Sequence, residues 1–135
     1  ARFKKMENAV LFAAGSCWEG VDFPGDMVSS LIIVKLPFAV PDPIHEAQRE
    51  QYRSLESYIQ NVVVPDMQKK LRQGFGRAIR TEQDTCVVSI LDHRAAKKGK
   101  YRGDVLDALP KCQMAEKIDE VEDFIRSRKV ERYYS

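Results

Sequence analysis

Nowhere in its 135 residues does this chain carry Gly-x-x-x-x-Gly-Lys followed by Ser or Thr. It therefore has no loop of the kind whose backbone amides and lysine cradle a nucleotide's phosphates. Its three cysteines, Cys17, Cys86 and Cys112, lie far apart with no CxxC pair. That spacing supports neither a zinc site nor an iron–sulfur cluster, and free buried thiols in a reducing compartment are expected instead. No apolar run reaches the ~18 residues of a membrane span, and no signal-peptide pattern opens the chain. A cytoplasmic protein without a membrane partner is the expectation. The net charge is only +2, too small to mark a nucleic-acid binder by itself. Any basic footprint must come from clustering.

Two clusters are present. One comprises Lys69, Lys70, Arg72, Arg77 and Arg80; the other comprises His93, Arg94, Lys97, Lys98, Lys100, Tyr101 and Arg102. On charge pattern alone, each is equally well read as a solvated basic surface. The length fits one domain, 1–135, able to bury about two thirds of its unfolded surface. Hydrophobic residues at 44% and charged residues at 31% suit a globular chain.

Short apolar runs at 9–14, 31–36 and 86–91 read as strands, continuous rather than alternating, as in a parallel sheet covered on both faces. Helical spacing fills the intervals. Asp42-Pro43 predicts an N-cap with proline at the first helical position, followed by Ile44, Ala47, Leu55, Ile59 and Val62. A second helix is predicted to start near Pro65, carrying Met67, Leu71, Phe75, Ala78 and Ile79. A last one carries Ile118, Val121 and Ile125, with Arg126, Arg128 and Lys129 near its C-terminal end, where cations suit the helix dipole. Strands alternating with helices predict an α/β fold with a mostly parallel sheet. Ligands in such sheets bind beyond the carboxyl ends of the strands, which singles out the loops after Ala14, Leu36 and Leu91.

Residues 71–80, LRQGFGRAIR, place two glycines and three arginines in ten positions. Glycine weakens a helix, and like charges on one face repel. At ~100° per residue, Met67, Leu71, Phe75, Ala78 and Ile79 share about a third of the circumference. Gln73, Gly76, Arg77 and Arg80, spaced i, i+3, i+4 and i+7, fall on the opposite side. Gly76 leaves that side open for an anion to approach the backbone. Two planar guanidiniums beside it can grip phosphate oxygens bidentately, as lysine cannot.

The Gln-x-x-Gly-Arg-x-x-Arg spacing resembles motif VI of superfamily-two helicases, and QGFGRAIR is similar to its DinG and XPD branch. The stretch Gly15-Ser16-Cys17-Trp18-Glu19-Gly20-Val21-Asp22-Phe23-Pro24-Gly25 resembles the same branch's motif V. Lys35-Leu36-Pro37-Phe38-Ala39-Val40-Pro41-Asp42-Pro43 and Ile90-Leu91-Asp92-His93-Arg94 are also DinG-like. The resemblance runs in order from about Leu11 to Pro110. It implies a RecA-like three-layer α/β domain with helices flanking a short, mostly parallel sheet. That domain is the second of two in a DNA-stimulated ATPase that unwinds duplexes, with ATP bound between the domains.

By the same resemblance Arg77 and Arg80 are arginine fingers for the γ-phosphate, with Gln73 orienting the phosphate or the attacking water. Asp22, with Gly20 beside it, and Gly76 face the nucleotide; a turn-forming role for Asp22 is the alternative. Gly15 and Ser16 meet the DNA backbone. Trp18 packs against a base or caps the core, and Glu19 pairs with an arginine or is solvated. Cys17 departs from an aromatic common in the family and reads as a small filler. Asp92 and Arg94 are expected to form an internal salt bridge, and the run 97–102 a solvated loop, although it could track a phosphate backbone.

No DEAH-like acidic box is present to hold magnesium, and motif IV is missing. The expectation is a fragment truncated at its N-terminus within the second motor domain, inactive alone. ATP and Mg²⁺ would be held mainly by the N-terminal motor domain of the same parent chain, with single-stranded or forked DNA as the other partner. The second reading is a non-catalytic RecA-like module that binds nucleic acid or a partner protein.

Overall fold

The computed structural model describes Leu11, Val28 and residues 30–129. The predicted strand at 9–14, apart from Leu11, lies outside the described residues, as does motif V. Strand β1 (Ser30–Ile33) and strand β2 (Val87–Ile90) pair directly and run parallel. Between them come α1 (Pro43–Glu50), α2 (Leu55–Tyr58), a π-helical turn (Ile59–Val63) and α3 (Val64–Ala78). After β2 follow a 3₁₀ turn (His93–Ala95), α4 (Arg102–Ala108) and α5 (Ile118–Arg128). The crossover between the parallel strands is thus helical, as is usual for parallel pairing.

Both strands are shorter than expected. Leu36 lies beyond β1; its backbone N–H donates to the Asp92 carboxylate at 2.9 Å instead of to a neighbouring strand. Pro37, which follows, has no N–H to offer a ladder. Nor is β1 covered on both faces. Ser30 and Ile32 are exposed while Ile33 is buried, the alternation of a half-covered strand.

Asp42 caps α1 as predicted, accepting from His45 N at 2.8 Å, with Pro43 in the first turn. The helix does not continue to Val62. Gln51 N and Tyr52 N turn back to Gln48 O and Arg49 O at 3.1 Å, which tightens and ends it. Ser54 is extended, and its Oγ accepts from Ser57 N to start α2. Serine's competing side-chain bond explains why the break falls here. The apolar stripe proposed for this stretch is accordingly not a core face, since Ile44 is 71% and Leu55 51% exposed.

Pro65 does not begin a helix; it sits inside a helical run that is continuous from Leu55 to Ala78. The ring of an interior proline collides with the carbonyl four residues earlier, here Asn61. The wider π turn just upstream, closed by Val64 N on Ile59 O, relieves that crowding.

Among the described residues, two compact units are distinguished: 34–72 with 90–110, and 30–33 with 73–89 and 111–129. In the first, Leu36, Tyr58, Val64, Met67, Leu71, Tyr101, Val105 and Ala108 are buried, with Met67 and Leu71 fully enclosed. Gln68 Nε2 donates to Asp104 O at 2.8 Å and ties α3 to α4. Helix α4 was not anticipated, although Val105, Ala108 and Leu109 have helical spacing. In the second unit, Ile33, Ala78 and Lys129 are buried. Helix α5 forms where predicted, but Ile118 is 84% exposed and Val121 and Ile125 are only half-buried. Cys86 and Cys112 are thiols as expected, yet neither is buried: Cys86 is half-buried and Cys112 exposed. No described helix is long and apolar enough to cross a membrane.

Candidate functional site

The end of α3 divides by exposure much as its spacing suggests. Gly74 and Ala78 are buried and Phe75 is half-buried, whereas Gln73 and Gly76 are exposed and Arg77 is half-buried. Apart from its chain neighbours and the helix's own backbone, no described atom lies within 4 Å of where a Cβ on Gly76 would stand. Packing among the described residues therefore does not require glycine there, although glycine within a helix costs up to about 1 kcal/mol relative to alanine.

Arg80 departs from the sequence reading. The helix ends at Ala78, so this exposed arginine leaves the helical face and begins the following turn. Asp84 fixes that turn: its Oδ2 accepts from Arg80 N at 3.0 Å and Thr81 N at 2.9 Å, while Asp84 N donates to Thr81 O. Those two backbone donors hold the Asp84 carboxyl below the usual carboxylate range. The backbone of Arg80 is thus set by an ionised aspartate that the sequence reading had not singled out. An aspartate a few residues beyond a helix end, placed to close a turn, is the signal that was available.

The tip of β2 holds a second constellation. Asp92 is 7% exposed. It accepts from Leu36 N, from Arg94 N at 3.0 Å, and from the Arg94 guanidinium, whose Nη2 lies 2.6 Å from Oδ2. Chiefly through the Arg94 hydrogen bonds, and also through the two backbone donors, this carboxyl is held far below its ordinary range. The expected internal salt bridge is present. Arg94 also lies 4.8 Å above the Phe38 ring, which stands 5.0 Å from Tyr101. Asp92 thereby joins the segments following the two strands, Leu36–Phe38 and His93–Arg94. It works as a clamp rather than as a ligand-facing acid.

Gly15, Ser16, Cys17, Trp18, Glu19, Gly20 and Asp22 lie outside the described residues. Among the described residues, no group of three or more His, Cys, Asp or Glu is arranged to hold a metal ion.

Residues 1–112 match the helicase C-terminal domain family. The chain is 39% identical over 130 residues to the 3'-5' exonuclease DinG of Bacillus subtilis, covering 94% of this chain and 14% of that protein. It is 41% identical over 109 residues to the ATP-dependent DNA helicase DinG of Photobacterium profundum, covering 79% and 16%. It is 40% identical over 111 residues to the ATP-dependent DNA helicase YoaA of Escherichia coli, covering 81% and 17%. The chain thus spans only 14% to 17% of the length of these curated relatives. With the family pattern covering most of its length and parallel strands joined through helices, this chain belongs to the helicase C-terminal domain family and has its RecA-like α/β fold.

Proposed function

We propose that the chain is the second motor domain, 1–135, of a larger cytoplasmic ATP-dependent DNA helicase. Arg77 and Arg80 serve as fingers on ATP held against the N-terminal motor domain, with Gln73 orienting the phosphate or water. Gly76, Gly20 and Asp22 adjoin the nucleotide, while Gly15, Ser16 and Trp18 contact single-stranded or forked DNA. Two relatives bear the name ATP-dependent DNA helicase, which supports ATP as the nucleotide and DNA as the track.

The observation that carries the reading is the open position at Gly76, next to Arg77 and one turn before Arg80. A helix that gains nothing from glycine among the described residues has a reason to carry it if a phosphate approaches the backbone there. Phosphoryl transfer spreads negative charge over the equatorial oxygens of the moving group. Fixed guanidinium donors at that point stabilise the transition state more than the ground state. The described donor set of arginines, glutamine and bare backbone suits a triphosphate. It offers no magnesium ligands, so Mg²⁺ is assigned to the first motor domain and no step here runs through it.

Gly76→Ala tests this in two directions. In the isolated chain it is expected to raise the melting temperature by about 3–5 °C, because alanine favours the helix and meets no neighbour. In the full-length motor it is expected to lower DNA-stimulated ATPase at least several-fold, because the Cβ occupies the approach to the phosphate. A stabilised variant with full ATPase would defeat the assignment.

A further inference from the structure

We propose that the loop 93–102 is a second nucleic-acid contact, binding the phosphodiester backbone through Lys97, Lys98 and Lys100. No acidic residue occurs between His93 and Gly103. The one guanidinium at the start of the loop, Arg94, is already engaged by Asp92. All three lysines are exposed, and the His93 side chain is 94% exposed. The positive charge of these side chains therefore stands at the surface.

What separates this loop from an ordinary solvated basic stretch is its fixed shape. Tyr101 N donates back to Arg94 O at 2.9 Å, Gly99 N to Ala96 O at 2.7 Å, and Arg102 N to Gly99 O at 3.3 Å. A Cβ at Gly99 would collide with the backbone of His93 and Arg94, so only glycine lets the two limbs close this tightly. Tyr101 is buried against Phe38, and Asp92 pins the start of the loop through three separate donors. Lys100 Nζ is held 5.5 Å from the Tyr101 ring centroid. A closed, glycine-dependent loop presents its ammonium groups without paying to order the backbone on binding. The three exposed lysines are compact point charges that fit phosphates spaced along a strand, and they carry no base readout.

The proposal extends the motor reading to a further DNA contact, yet its test uses no nucleotide. Failure of the arginine-finger assignment therefore leaves it standing, and the reverse holds too. The isolated chain is titrated onto a fluorescein-labelled oligo-dT strand across a salt series, followed by anisotropy. Each neutralised phosphate contributes about −0.7 to the slope of log K against log salt on single strands. Lys97→Gln/Lys98→Gln/Lys100→Gln is expected to flatten that slope by about 2 and weaken binding ~10–50-fold at 0.1 M salt. The double variant Lys98→Gln/Lys100→Gln, with Lys97 kept, is expected to flatten it by about 1.4 and covers the case in which the triple variant misfolds.

A matched duplex arm identifies the source of the phosphates. Flattening on the strand, the duplex or both supports the proposal. An unchanged slope, or no measurable binding by the wild-type chain at 50 mM salt, overturns it. Equal loss of binding to a poly-glutamate chain also overturns it, in favour of an acidic protein partner.

Discussion

Arg80→Ala in the full-length motor is expected to lower DNA-stimulated ATP turnover by at least ~10²-fold, with little change in nucleotide affinity. An arginine finger is worth ~10³–10⁵ in rate where it acts alone, and a second guanidinium, Arg77, retains part of that here. The effect belongs to kcat because the charge it meets develops only in the transition state. Arg80→Lys is expected to recover little, since an ammonium cannot reproduce the planar two-point grip. Arg72→Ala, removing an exposed arginine of α3 outside the Gln-x-x-Gly-Arg-x-x-Arg pattern, is the control and should stay near wild type. Turnover by Arg80→Ala equal to that of this control would remove the finger assignment. Because Asp84 fixes the backbone at Arg80, the loss is read as missing charge and not as a displaced turn, provided the variant melts as the wild type does.

Asp92→Ala carries the largest expected stability loss, about 2–4 kcal/mol by chemical denaturation of the isolated chain. It strands Leu36 N and Arg94 N without their acceptor and leaves the guanidinium without its counter-ion. The figure stays below that of a fully buried ion pair because the Arg94 side chain is 36% exposed. Asp92→Asn keeps an acceptor and should lose less, and it also exposes the pH dependence. The folded-state pKa of Asp92 is depressed, so its contribution is complete above the ordinary carboxylate range near pH ~4 and fades as pH falls toward the depressed value. The stability gap between wild type and Asp92→Asn is therefore expected to be flat from pH 8 to 5 and to narrow below about 4. A gap that persisted unchanged to the acid limit would show that the charge of Asp92 contributes nothing.

How far the chain could be read from its letters depends on how local each determinant is. The Asp42-Pro43 start of α1, helix α5, the two described strands and the Asp92–Arg94 pair all rest on neighbours within a few positions, and each appears where expected. The extended helix from Asp42 to Val62 does not, because apolar spacing carries no mark of the Ser54 cap that interrupts it. Pro65 reads as a beginning because proline favours first turns, whereas the π turn before it lets the helix run through. The face bearing Gln73, Gly76 and Arg77 followed from periodicity. Arg80 escaped that periodicity because the helix stops two residues earlier, for the sake of a turn closed by Asp84. The role of Asp92 in clamping Leu36 was out of reach, since 56 residues separate the partners and nothing in either segment names the other.

The π turn has one more consequence, a matter of angular phase. One extra residue in a helix rotates everything on one side of it by about 100° relative to the other. With Ile59–Val63 wound as they are, Tyr58 faces inward together with Val64, Met67 and Leu71. Winding the same residues 59–63 as ordinary α-helix would keep good hydrogen bonds but put the two sides out of step. Tyr58 and its edge-on partner Tyr52 would swing toward water while Met67 and Leu71 stayed put. The irregular turn absorbs the extra residue and keeps Tyr58 in phase with Val64, Met67 and Leu71.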